Sequence, residues 1–286
     1  AYSSVLGVVA TLTTPETIII SDELNHNCII NAMKLARPKA KKIYKHLNMD
    51  ELETQIKGAV GKCEALLVIT DGVFSMRGVY APLKEISELA KKYNDKFPRD
   101  IVVIVDDSHG VGSIGKTGRG TEELTGADGI DILVATLGKA LGINGGYVVS
   151  RKEVIHYLRE KNPFYIYTNP ITPSETTASI AALDMLSSDE GLKLLEHLGA
   201  MTKKFEQGLV DLGYETLSSP HPVTPLMIRD TERTTKCVDF LRDNGVLATG
   251  LNYPVVPKGD QSIRFQVCAD HTPYDIEYVL GVLEKF

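Results

Sequence analysis

Short apolar runs rich in β-branched residues alternate with stretches of helical periodicity, and this alternation constrains the fold more than any other feature of the chain. Ile18 to Ile20 precedes a helical pattern over Cys28 to Ala36. Lys42 to Tyr44 precedes one over Met49 to Val60, and Ala65 to Thr70 one over Leu83 to Tyr93. Ile101 to Val105, Ile132 to Ala135 and Gly146 to Val149 then read as further strands. Strands separated by helices join through right-handed crossovers, so the pattern predicts an α/β fold with a mostly parallel sheet and helices on both faces. Such sheets collect their ligands outside the carboxyl ends of the strands.

The pattern changes after Pro173. Long helical segments over Ser174 to Ser187 and Glu190 to Leu212 lead to a tail with strands near Leu226 to Ile228, Leu247 to Thr249 and Ile263 to Val267. The tail helices are Arg233 to Asn244 and Pro273 to Phe286. This predicts a large domain over residues 1–187 and a smaller C-terminal α+β domain over 188–286. The chain starts at Ala1 inside a pattern, since Val5 to Leu12 reads as a buried helix or strand, and further residues are expected upstream.

Charge narrows the partners. Thirty-one Lys and Arg against 37 Asp and Glu leave a net charge of -6, the wrong sign for nonspecific nucleic-acid binding. The basic stretch Lys34 to Lys45 reads as a solvated helix end and edge strand. No apolar run is long enough to span a membrane. Cys28, Cys63, Cys237 and Cys268 form no CxxC pair and no metal-ligand spacing, so no metal is expected and reduced thiols in a cytoplasmic setting fit.

Gly110 to Thr117, GVGSIGKT, satisfies the G-x-x-x-x-G-K-[ST] pattern and would make the chain a P-loop nucleotide hydrolase using Lys116 and Thr117. A phosphate loop must pass at once into a helix, however, and here Gly118-Arg119-Gly120 follows. Asp106-Asp107 also places two carboxylates where a triphosphate would lie. The same segment offers a different chemistry. Asp106 and His109 stand just past an apolar strand, as ligand groups or as a cap and buried ion pair. Lys139, in the turn Thr136 to Gly142 after another strand, is a surface lysine or a desolvated amine able to attack an aldehyde. A strand-end carboxylate with a strand-end lysine is what a pyridoxal phosphate (PLP) site requires.

SDELNH (Ser21 to His26), TDGVFSM (Thr70 to Met76), VDDSHGVG (Val105 to Gly112), TLGKALG (Thr136 to Gly142), YPVVPKG (Tyr253 to Gly259) and SIRFQ (Ser262 to Gln266) together resemble the α-oxoamine synthase family. The resemblance runs in order along the whole chain. It implies PLP-dependent transferase fold type I, an enzyme that condenses an amino acid with an acyl-CoA, and a homodimer with shared active sites. SDELNH, DDSH and YPVVPKG are most similar to members that use glycine and acetyl-CoA; the alternative is alanine with a pimeloyl thioester.

Carried onto this sequence, the resemblance makes Lys139 the Schiff-base lysine and Asp106 the partner of the pyridine nitrogen. His26 stacks on the ring, and His109 and Ser75 bond its phenolic oxygen. Tyr2 and Thr136 belong to the cofactor site, Thr136 through the phosphate, and Thr168 reaches the phosphate of the neighbouring subunit. Arg264 holds the substrate carboxylate. A non-catalytic subunit of the same fold would have no need of Lys139, Asp106 and Arg264 together. The turn Ile143 to Gly146 is one residue shorter than in the glycine-specific members, which leaves the acyl pocket open.

Overall fold

The computed structural model describes residues 1–286 and divides into two compact units, Ala1–Phe74 with Ala81–Leu186, and Ser75–Tyr80 with Ser187–Phe286. The first unit is built on a six-stranded sheet of β1 (Thr17–Asp22), β2 (Ala40–Tyr44), β3 (Ala65–Asp71), β4 (Ile101–Asp106), β5 (Ile132–Thr136) and β6 (Gly146–Ser150). Their order is β2-β1-β3-β4-β5-β6; the first five are parallel and β6 runs antiparallel to β5. The mostly parallel α/β sheet expected from the sequence is therefore present. β6 reverses because the chain between Thr136 and Gly146 has no helix to carry it back across the sheet.

Burial explains the sequence of each strand. All six residues of β1 (TIIISD) are buried, as a central strand covered on both faces requires. β2 (AKKIY) lies at the sheet edge, where Lys41 and Ile43 are exposed. Lys39, just before it, pairs with Glu16 at 2.6 Å, so part of the basic stretch serves the edge of the sheet.

Helices α1 (Tyr2–Leu12), α2 (Asn27–Ala36), α3 (Met49–Lys57), α4 (Leu83–Tyr93), α5 (Thr121–Thr125), α6 (Lys152–Lys161), α7 (Pro163–Ile166) and α8 (Pro173–Leu186) complete this unit. The ambiguous segment after Ala1 is thus a helix, and its Val5, Val8 and Val9 enter one core with Ile29 and Ala32 of α2 and Ile19, Leu67 and Ile104 of the sheet. α3 stops three residues short of the expected Val60. α6 and α7 were not foreseen; α6 buries only Leu158, so it lacks the broad apolar stripe that marks a helix in sequence.

The second unit packs α9 (Asp189–Asp211), α10 (Thr231–Asp243) and α11 (Pro273–Leu283) with an antiparallel sheet. Its strands β7 (Glu215–Thr216), β8 (Val223–Met227), β9 (Thr249–Leu251) and β10 (Ser262–Gln266) lie in the order β7-β8-β10-β9. Phe205 and Leu209 of α9 meet Leu226, Ile263 and Phe265 in its core, the Phe205 and Phe265 rings edge to face at 5.0 Å. Ser75–Tyr80 belongs to this unit: the Ser219 hydroxyl donates to the Gly78 carbonyl at 2.6 Å, and Arg77 pairs with Asp260.

Candidate active site

Four parallel strands of the first unit end in polar residues, Asp22 on β1, Asp71 on β3, Asp106 on β4 and Thr136 on β5. Parallel strands place these ends on one side of the sheet, where α/β folds hold ligands. Asp71 and Asp106 are register partners on neighbouring strands.

Asp106 is buried. Its Oδ1 accepts the Ser108 N–H at 3.1 Å and the Ser108 hydroxyl, while its Oδ2 accepts from the Cys28 thiol, with Sγ at 3.4 Å. A carboxylate oxygen has two lone pairs, so Oδ2 can accept a stronger donor beside the weak thiol. His26 is the N-cap of α2, its Nδ1 accepting the Cys28 N–H at 3.2 Å. The main-chain N–H of His26 donates to Asp71 Oδ2 at 2.7 Å. Burial lowers the His26 pKa; the Asp106 charge opposes this and the Lys139 charge adds to it. Burial and the nearby Asp106 push the Asp71 carboxyl well above the ordinary range, against the His26 N–H and the Lys139 charge. His26 and Asp71 therefore both lie in the fields of Asp106 and Lys139.

Lys139 is exposed in the turn after β5, which is held by main-chain bonds from Leu137 to Gly145 at 3.0 Å and from Ile143 to Leu137 at 2.9 Å. Thr136 Oγ1 accepts the Gly138 N–H at 3.1 Å and donates to the Gly145 carbonyl at 3.2 Å. α1 opens beside this turn: a Cβ on Gly146 would stand 2.5 Å from the Ala1 nitrogen. The Tyr2 hydroxyl donates to Asn27 Oδ1 at 2.7 Å, and its ring meets His26 edge-on at 6.3 Å. His109 is half-buried in the turn after β4. Thr168 is exposed after α7, its hydroxyl donating to the Phe164 carbonyl. Ser75 and Arg264 belong to the second unit, where Arg264 Nη2 donates to Gln266 Oε1 at 3.0 Å and burial lowers the guanidinium pKa.

The P-loop alternative fails on the same geometry. No helix follows Thr117; the five-residue α5 begins at Thr121. Glu123 accepts the Thr117 N–H at 3.0 Å, its hydroxyl at 2.9 Å and the Arg119 N–H at 3.1 Å. Burial works against ionisation of Glu123, yet these bonds hold its carboxyl below the ordinary value, so the chain's own anion fills the loop. The glycines have packing reasons. A Cβ on Gly110 would lie 2.1 Å from Asp107 Oδ1, and one on Gly112 would lie 2.5 Å from the Ala140 Cβ. Asp107 itself is buried with its pKa pushed up to about 6, its carboxylate bonded to the Thr121 N–H and hydroxyl at 2.7 and 2.6 Å.

The profile of the aminotransferase class I and II family matches residues 1–283. An 8-amino-7-oxononanoate synthase of Thermosipho melanesiensis is 40% identical over 281 residues, covering 98% of this chain and 69% of that protein. A 2-amino-3-ketobutyrate coenzyme A ligase of Escherichia coli K12 is 40% identical over 283 residues, covering 98% of this chain and 68% of that protein. The chain belongs to the α-oxoamine synthase family. A solved lysine-to-alanine variant of serine palmitoyltransferase from S. paucimobilis, with a bound PLP–myriocin aldimine, superposes with a TM-score of 0.91 at 28% identity, over 99% of this chain and 70% of that one. This α-oxoamine synthase has fold type I, and PLP is its cofactor.

The donor set at the strand ends fits PLP. A buried carboxylate with a free acceptor position suits a protonated ring nitrogen, Lys139 offers the amine, and His26 offers a flat ring. The opening turn of α1 next to Thr136 offers donors to a phosphate. Sequence motifs missed Cys28 and Asp71 as parts of this site. Asp71 had a signal, since it ends an apolar strand as Asp106 does.

Proposed function

We propose that this α-oxoamine synthase condenses glycine with acetyl-CoA to give 2-amino-3-oxobutyrate and CoA, the glycine C-acetyltransferase reaction. The observation that carries the reading is the cluster in which His26 lies under the charges of both strand-end groups, Asp106 and Lys139. Relatives at 40% identity carry both names given above, so the choice of glycine rests on SDELNH, DDSH and YPVVPKG. The second reading is alanine with a pimeloyl thioester, which the relative from Thermosipho melanesiensis supports by its name.

When bound, PLP supplies an electron sink for the carbanion at the amino acid's α-carbon. Asp106 would accept a hydrogen bond from the protonated ring nitrogen, and its negative charge would keep that nitrogen cationic. Lys139 would anchor the cofactor and, as a free amine, would take the α-proton on Nζ. His26 would cover one face of the ring, and His109 and Ser75 would donate to the ring oxygen. Tyr2 and Thr136 line the cofactor site, Thr136 at the phosphate. Arg264 grips the substrate carboxylate with two parallel N–H donors.

The active unit is a homodimer, Thr168 reaching the phosphate in the neighbouring subunit. In support, α8 buries only Ser179 and leaves Ile180, Leu183 and Met185 exposed, close in sequence to Tyr167 at 85% exposure. Exposed apolar side chains of this size favour a self-complementary contact. Sedimentation equilibrium gives a two-chain particle; a monomer active in the same buffer overturns the shared site. The four cysteines are free, which suits a cytoplasmic setting. No helix is long and apolar enough to cross a membrane.

Steady-state rates separate the two substrate readings. kcat/KM for glycine with acetyl-CoA exceeds that for alanine with pimeloyl-CoA; the reverse order overturns the acetyltransferase reading and leaves the family chemistry standing.

A further inference from the structure

Cys28 has no role in the chemistry above, yet it stands between two residues that do. Its side chain is fully buried, with Sγ 3.0 Å from His26 Nδ1 and 3.4 Å from Asp106 Oδ2. The Cys28 main-chain N–H also donates to Nδ1 at 3.2 Å. A ring nitrogen that accepts an N–H bond carries a lone pair there, which puts the imidazole proton on Nε2. Burial, with Asp106 and Asp71 nearby, raises the thiol pKa far enough that the sulfur keeps its proton at any physiological pH.

We propose that Cys28 is a positioning residue of the cofactor pocket, its one S–H proton linking His26 to Asp106 and holding the imidazole neutral as the Nε2–H tautomer. The proposal rests on the reading of His26 and Asp106 as residues that hold PLP. In the empty pocket the one thiol proton is shared between Nδ1 at 3.0 Å and Asp106 Oδ2 at 3.4 Å. Where Asp106 Oδ2 accepts the ring-nitrogen proton, the thiol proton is left for Nδ1, which then holds two donors and resists protonation. Filling the Asp106 site and neutralising His26 become coupled events, and neither needs a proton to leave the pocket. Burial favours the neutral imidazole and Asp106 on β4 pulls it toward the cationic form, so the link adds to what burial begins. Lys139 in the turn after β5 opposes that pull. Asp71 on β3 meets only the His26 main-chain N–H, and the Tyr2 ring of α1 meets the imidazole edge-on.

The test follows the imidazole itself. Protein carrying 15N-histidine is prepared without cofactor, and the His26 nitrogens are assigned by their loss in His26→Gln. In the wild-type protein Nδ1 is unprotonated at neutral pH. Cys28→Ala raises the His26 pKa by about half a unit, roughly a threefold change in proton affinity, and weakens PLP binding, read by absorbance, by about the same factor. Cys28→Ser, which keeps a donor, returns both values toward wild type. A wild-type Nδ1 that carries the proton overturns the proposal, as does a folded Cys28→Ala with both values unchanged. If Cys28→Ala does not fold, the wild-type tautomer and Cys28→Ser decide. Borohydride mapping of the holoenzyme is the separate check: no label on Lys139 removes the PLP reading of the pocket, whereas a label there with an unaltered Cys28→Ala removes only the role given to Cys28.

Discussion

Lys139→Ala gives a folded protein whose kcat falls by at least about 10³-fold, because one substitution removes both the covalent anchor and the base that takes the α-proton. The fold survives for a local reason. Lys139 is exposed, and the turn that carries it is tied by main-chain bonds between Leu137 and Gly145, Ile143 and Leu137, and Gly142 and Lys139. Truncation at Cβ therefore opens no cavity in the core. Borohydride reduction of the wild-type holoenzyme followed by peptide mapping finds the pyridoxyl group on Lys139. A label on Lys116, in the glycine-rich loop, would overturn the assignment. The loop's bonds to Glu123 argue against that result, since the anion already seated there excludes a phosphorylated ligand.

Asp106→Asn keeps the shape of the strand end and changes its charge. The amide oxygen can still accept from Ser108, so the turn after β4 persists. What is lost is the anion facing the ring nitrogen. Removing one partner of a buried charge pair costs about 3–5 kcal/mol, which at the transition state is on the order of a 10²- to 5 × 10³-fold fall in rate. Exchange of glycine's α-protons in D₂O, followed by ¹H NMR without any acyl-CoA, isolates the step that depends on this charge. Exchange at the wild-type rate would mean that another group holds the nitrogen proton. Asp71 is the obvious competitor, being the register partner of Asp106 on β3. Its deep burial favours the neutral acid, and a neutral acid cannot supply the missing charge.

Much of this was legible along the chain. The β-branched runs ending in Asp22, Asp71, Asp106 and Thr136 announced central strands and hence a ligand face, because period and propensity are local properties. Helix α4 was located to the residue, since Leu83, Ile86 and Ala90 recur at helical spacing on one buried face. The resemblance supplied names for residues whose chemistry was already suggestive, most clearly Lys139 and Asp106.

The sequence by itself determined the order of strands and helices, the ligand-bearing side of the sheet, and a lysine and a carboxylate suited to PLP. Only the tertiary structure decided how those groups are held. Cys28 meets Asp106 across 78 positions of chain, and the His26 main-chain N–H finds Asp71 across 45. It also decided that Glu123 fills the glycine-rich loop, and that β6 turns back against β5. The physical reason is common to all of these. A strand or helix is selected by neighbouring residues, whereas a buried proton donor or an anion site depends on which distant groups the packing brings within a bond length.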